Sequence, residues 1–175
     1  MQLNDLEVKL NNYIKTGDIV IIAGSLPPGV QDDIYKTWIE TCHNKSVISV
    51  LDTSGFALAH GVKACPYMIK PNLDEFCSLT GKTLTNISEI KNEASKLVSK
   101  GISKILVSMG KDGAVLFSEN DLTQIKAPAV QIKSTVGAGD AMLAAFVSGM
   151  LKSYDDKRTL ALAVEVGSNH CQGVL

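Results

Sequence analysis

In the segment "STVGAGDAMLAAF", Ser134 to Phe146, three small residues, Gly137, Ala138 and Gly139, run directly into Asp140 and then into an apolar stretch. The spacing of Leu143, Phe146, Val147, Met150 and Leu151 predicts a helix from Asp140 to about Lys152 with those side chains on its buried stripe. The glycines then occupy the loop between a strand-like run ending at Val136 and the helix N-terminus. Backbone N–H groups there lack intrahelical partners, and the helix macrodipole is positive. With no bulky side chains in the way, those N–H groups can close on a phosphate or a developing oxyanion. Asp140 would repel such an anion unless its work is to take a proton from a hydroxyl aligned with a phosphoryl group. Phosphoryl transfer rewards positioning and charge stabilisation more than base strength. A carboxylate that caps the helix, with glycines forming the turn, explains the same residues. Taken alone, both readings stand.

Other segments offer partners for this chemistry. In "KPNLDEF", Asn72 and Glu75 are three apart, so one helical turn lets both face one point and hold magnesium beside a nucleotide's phosphates. The same pair is the signature of a capping box. "VSMGKDGA" sets Ser108, Gly110 and Gly113 at a strand-to-turn junction where backbone can approach a nucleotide, or where a plain hairpin turn sits. Ser25, on the bend after the first strand, is a candidate substrate contact or a satisfied turn residue. Lys70 is either charge near a phosphate or a solvated lysine at a strand end.

The elements that must position these residues follow from two alternating periods. "DIVIIAG", "SVISVLD", "YMIK" and "KILVSM" are short apolar runs expected of buried strands. "LNDLEVKLNNYI" puts Leu3, Leu6, Leu10 and Tyr13 on one helical face. "QDDIYKTWIETCH", "SGFALAHGV", "NLDEFCSLTG" and "ISEIKNEASKLVSKG" also read as helices, the last ending at Gly101. "GAVLFS", "TQIKA" and "VQIKS" suggest an antiparallel or edge section, and a final helix starts near Asp155. Alternating strands and helices imply a mainly parallel sheet with helices on both faces, and ligands at the carboxyl ends of its strands. The 175 residues are read as one α/β domain, 1–175. A net charge of −1 gives no basic field for nucleic acid or membrane. No apolar run approaches the roughly 20 residues of a membrane span. The four cysteines show no CxxC spacing and read as reduced thiols of a cytoplasmic protein, and the three scattered histidines do not suggest a metal site.

In order along the chain, "GSLPPGV", "LDTSG", "KPNLDEF", "VSMGKDGA" and "STVGAGDAMLAAF" resemble the carboxyl-terminal part of the ribokinase-like sugar kinases of the phosphofructokinase-B type. The resemblance covers essentially the whole chain. "GSLPPG" and "DTSG" are similar to the branch that acts on phosphorylated sugars, and "STVGAGD" is most similar to bacterial 1-phosphofructokinases, with tagatose-6-phosphate kinases as neighbours. What the resemblance implies is a phosphotransferase making fructose 1,6-bisphosphate from fructose 1-phosphate and ATP. Asp140 would be the base, and Gly137, Ala138 and Gly139 the anion hole. Asn72 and Glu75 would organise magnesium and the triphosphate. Ser108, Gly110 and Gly113 would line the nucleotide, with Val136 and Asn169 closing around its base and Ser25 near the sugar. Relatives of this kind are longer. Their amino-terminal lid and early strands are not matched here, so the chain is expected to be a fragment with an exposed sheet edge. Self-association through that edge, and binding of nucleotide without turnover, are accordingly expected alternatives.

Overall fold

The computed structural model describes residues 3–119 and 121–173. They fall into two compact units, Met1–Ile105 and Leu106–Leu175.

The first unit alternates helix and strand: α1 (Leu3–Tyr13), β1 (Ile19–Ala23), α2 (Ile34–Asn44), β2 (Ile48–Asp52), α3 (Gly55–Gly61), β3 (Met68–Ile69), α4 (Leu73–Thr80), α5 (Ile87–Val98) and the start of β4 (Lys104–Ser108). β1 pairs with β2, β2 with β3 and β3 with β4, all in parallel, with Ile22 opposite Leu51, Leu51 opposite Ile69 and Ile69 opposite Ile105. These neighbours form the centre of the core, where Leu51, Ile69 and Ile105 are fully buried. Burying one such side chain stabilises the fold by about 1.5–3 kcal/mol. β1 departs from expectation. Only Ile22 is buried, and Ile21 keeps 44% of its surface exposed, so β1 is not covered on both sides. Tyr13 is likewise 76% exposed, and the inward face of α1 reduces to half-buried Leu6 and Leu10, with Leu3 outside the described side chains. α5 stops at Val98 rather than at Gly101, whose φ of 116° instead turns the chain toward β4.

The second unit holds the remainder of β4, the antiparallel hairpin of β5 (Ala114–Ser118) and β6 (Asp121–Ile125), and two helices, α6 (Ala138–Leu151) and α7 (Asp156–Gln172). α6 and α7 approach closely through glycines. A Cβ on Gly149 would lie 2.8 Å from Thr159 Cγ2, and one on Gly167 would lie 3.2 Å from the Ala138 carbonyl oxygen. Leu143, Phe146 and Val147 are buried as expected, whereas Leu151 is 70% exposed. "VQIKS" is not a strand, and Val136 does not end one. The N–H groups of Lys133 and Ser134 donate instead to the Cys171 carbonyl at the end of α7, which removes them from any ladder.

Candidate active site

The loop before α6 is built backbone-first. Ala138 N–H donates to Thr135 O at 3.2 Å, closing a four-residue turn, and Gly137 sits in its third position with φ 81° and ψ −6°. These are the angles of a type II turn, which demands positive φ at that place and so favours glycine. α6 then begins at Ala138, with Gly137 as its cap and no side-chain capping bond. The first α6 N–H to be paired with the cap carbonyl is that of Ala141, on Gly137 O at 2.9 Å. Ala138, expected in the anion hole with its two glycine neighbours, spends its N–H on Thr135 O; among the described residues the N–H groups of Gly137, Gly139 and Asp140 have no partner. Unpaired donors at the positive end of a helix are an anion cradle.

Asp140 is therefore the third helical residue and not the cap, because the glycine turn has already taken the capping position. Its carboxylate is exposed and has no hydrogen-bond or ion-pair partner among the described residues. A carboxylate with nothing to hold is available to accept a proton.

One residue at this turn gave no signal in the sequence. His170, on the last turn of α7, places Nε2 2.9 Å from the Val136 carbonyl oxygen. That oxygen can only accept, so Nε2 carries the proton. A Cβ on Gly137 would lie 2.8 Å from the same nitrogen. The glycine is thus required by a neighbouring ring as well as by backbone angles. Asn169, beside it, is half-buried, and Val136 is 82% exposed.

At the end of β4, Ser108 is half-buried and its hydroxyl has no hydrogen-bond partner among the described residues, and Gly110 is exposed with φ 56° and open space where a Cβ would stand. Gly113 is buried. A Cβ there would overlap the Ile125 carbonyl and come within 2.7 Å of Ala127 N, so its closeness to the end of β6 accounts for it without a ligand. Met109 N–H donates to Gly113 O at 2.8 Å, tying the turn shut.

In the first unit, Asn72 and Glu75 form the capping box of α4. Asn72 Oδ1 accepts from Glu75 N–H at 2.8 Å and Glu75 Oε2 accepts from Asn72 N–H at 2.9 Å. This occupies the Asn72 oxygen and one Glu75 oxygen and, among the described residues, leaves the Asn72 amide NH2 and Glu75 Oε1 unengaged. No cluster of three or more His, Cys, Asp or Glu able to hold a metal occurs among the described residues. The donor set nevertheless fits magnesium of the kind that keeps its waters and takes most ligands from phosphates, since one free carboxylate oxygen suffices.

Two further groups stand at strand ends of this unit. Lys70 is 6% exposed, not solvated, and its Nζ lies 3.1 Å from Asp52 Oδ2. Pairing makes burial of the two charges tolerable. The loop after β1, which carries exposed and unbonded Ser25, is held at Gly24 O by Thr53 Oγ1 at 2.7 Å and by the Tyr35 hydroxyl at 3.2 Å. Burial pushes the Tyr35 phenol upward, so it remains a donor.

The pfkB family carbohydrate kinases match residues 1–174. A 1-phosphofructokinase of Haemophilus influenzae is 37% identical over 157 residues, which is 89% of this chain and 50% of that protein. One from Bacillus subtilis is 34% identical over 155 residues, 89% of this chain and 51% of that protein. Phosphofructokinase-2 from Escherichia coli, crystallised in complex with substrates and products, superposes with a TM-score of 0.91 at 28% identity, covering 97% of this chain and 56% of that one. The chain thus spans about half the length of the curated relatives it matches. A ribokinase of Arabidopsis thaliana complexed with ribose and ATP gives a TM-score of 0.78 at 25% identity, covering 98% of this chain and 54% of that one, so the fold is ribokinase-like. No described helix is long and apolar enough to cross a membrane. The chain belongs to the pfkB family of carbohydrate kinases.

Proposed function

We propose that the chain is the nucleotide-binding and catalytic part of a kinase that transfers the γ-phosphoryl group of ATP to a phosphosugar, fructose 1-phosphate first, giving fructose 1,6-bisphosphate. The observation that carries this is the unpaired donor set at the start of α6 with an unengaged carboxylate on its third residue. Asp140 accepts the proton of the sugar hydroxyl as its oxygen bonds to phosphorus and the bond to the β–γ bridging oxygen breaks. Gly137, Gly139 and Asp140 N–H groups offset negative charge on the group in transfer, a role worth about 2.7–4 kcal/mol per donor in other enzymes.

Ser108 and Gly110 offer nucleotide contacts, and Gly113 shapes the turn that presents them. Val136 and Asn169 serve the base, and Ser25 the sugar. Magnesium, when bound, neutralises part of the triphosphate charge; Glu75, through its free Oε1, is the residue that would hold it, while the Asn72 amide NH2 would donate to a phosphate oxygen. Lys70, buried and spent on Asp52, adds no free charge at the strand end. The naming of relatives as 1-phosphofructokinases supports the sugar, with tagatose 6-phosphate the alternative. The half-length match supports a second reading, in which the isolated chain binds nucleotide without turnover and associates through the open side of β1.

The test is a coupled ADP-release assay of the full-length enzyme, of which this chain would be the carboxyl-terminal part. Fructose 1-phosphate, tagatose 6-phosphate and unphosphorylated sugars are compared, alongside a thermal melt of the chain with millimolar magnesium–ATP. Preference for fructose 1-phosphate and a raised Tm are expected. An unchanged Tm together with no turnover on any sugar would overturn the proposal.

A further inference from the structure

The turn Thr135–Ala138 has two standard forms that differ by a flip of its central peptide, Val136–Gly137. Type II holds the third residue near φ 80° and type I near φ −90°. Glycine occupies either form at little steric cost, so Gly137 by itself does not choose between them. The observed φ of 81° is the type II form. Side-chain packing does not enforce it, because Val136 is 82% exposed. What touches the central peptide is His170, whose Nε2 donates to the Val136 carbonyl at 2.9 Å.

We propose that His170 is a positioning residue for the anion cradle, latching the turn in its type II form and thereby aiming the Gly137 N–H. In a planar trans peptide the C=O and N–H point in opposite directions. A carbonyl tied to α7 therefore turns the Gly137 N–H away from α7. Released from His170, the peptide is free to flip, which would carry that N–H to the opposite side and put a carbonyl oxygen in its place. An anion would then meet a repelling dipole where it had met a donor. The rest of the loop is anchored to the same helical turn, with Lys133 and Ser134 N–H groups both on Cys171 O at 2.8 and 3.2 Å. The last turn of α7 is accordingly the base on which the cradle is set. Val136 N–H donates to Ser134 Oγ at 3.2 Å, so the peptide preceding the central one is also held, which confines any flip to Val136–Gly137.

What the cradle grips rests on the kinase reading; the latch itself does not. The experiment compares His170→Leu, which has no donor, with His170→Gln, whose amide NH2 restores one on a side chain of similar reach. The readouts are the 15N–1H resonance of Gly137 in the nucleotide-free 175-residue chain and its calorimetric affinity for magnesium–ATP. His170→Leu is expected to move the Gly137 resonance and weaken ATP binding about tenfold or more, the effect of losing a donor to a charged group. His170→Gln is expected to restore the affinity to within about threefold of the parent, a rescue that simple loss of packing would not show. Should His170→Leu not fold, His170→Asn, a donor too short to reach the carbonyl, takes its place. An unmoved Gly137 resonance in the donor-less variant overturns the latch. Failure of the parent chain to bind ATP counts against the kinase reading instead, while the Gly137 resonance still decides the latch.

Discussion

Glu75→Gln and Asn72→Asp separate two jobs that the capping box of α4 combines. Glutamine keeps an oxygen to accept the Asn72 N–H, now made at 2.9 Å, and aspartate keeps the acceptor for the Glu75 N–H, now at 2.8 Å. Glu75→Gln loses only the favourable interaction of a charge with the helix start, about 0.3–1 kcal/mol. Asn72→Asp loses almost nothing, since Asn and Asp cap about equally well. Asn72→Ala, by contrast, removes the cap at about 1 kcal/mol, a Tm drop of about 2–4 °C for a chain of this size. If the box is only a cap, magnesium–ATP affinity will follow this order of stability. If it also serves the triphosphate, the two isosteric variants will bind more weakly than the alanine variant's stability loss would suggest. One removes a charge from the metal's side and the other adds one facing the phosphates. A change of at least about tenfold in each, or about 1.4 kcal/mol, is expected by calorimetry. Affinities within about twofold of the parent in both variants would refute a ligand role for this pair.

Three further outcomes follow from the geometry. Gly113→Ala places a methyl group on the Ile125 carbonyl at a φ of 89° and should destabilise the second unit by about 3 kcal/mol or more, read by urea denaturation. Glu93 is held below the usual glutamate range by hydrogen bonds from Lys82 and then Lys96, with its Oε1 2.6 and 2.7 Å from their Nζ atoms. Its contribution is therefore present above the unfolded pKa of about 4.3 and lost as pH falls through the lower folded value, so the parent's stability advantage over Glu93→Gln should shrink in that acid window. Ile21→Lys should reduce any self-association of the chain measured by sedimentation, because charge on an open strand blocks edge pairing and Ile21 is 44% exposed.

Much of the architecture was legible because buried strands and amphipathic helices leave opposite periods, and "KILVSM" and "ISEIKNEASKLV" show each. The misses share a cause. "VQIKS" has strand composition, but Lys133 and Ser134 find their acceptor on Cys171, 37 or 38 positions later, where no local pattern could announce it. β1 has core composition but an exposed Ile21, which composition cannot distinguish from a covered strand. In the site, the small residues before Asp140 were legible as a tight turn entering a helix, yet the reason for Gly137 lies partly in a ring 33 residues away. Asn72 and Glu75 were legible as a pair, since capping and metal binding ask for the same spacing. Lys70 was not, because its burial depends on Asp52 from the neighbouring strand.

In the proposed reaction Asp140, third in α6 beside unpaired N–H donors, takes the proton of the attacking hydroxyl. The most direct measurement is kcat of the full-length Asp140→Asn enzyme, with nucleotide affinity measured alongside. Asn matches the size of an exposed, unpartnered side chain, so folding should be unchanged. Loss of a general base at this position should lower kcat about 10²–10⁴-fold with ATP affinity within about threefold. Turnover at the parental rate would contradict it.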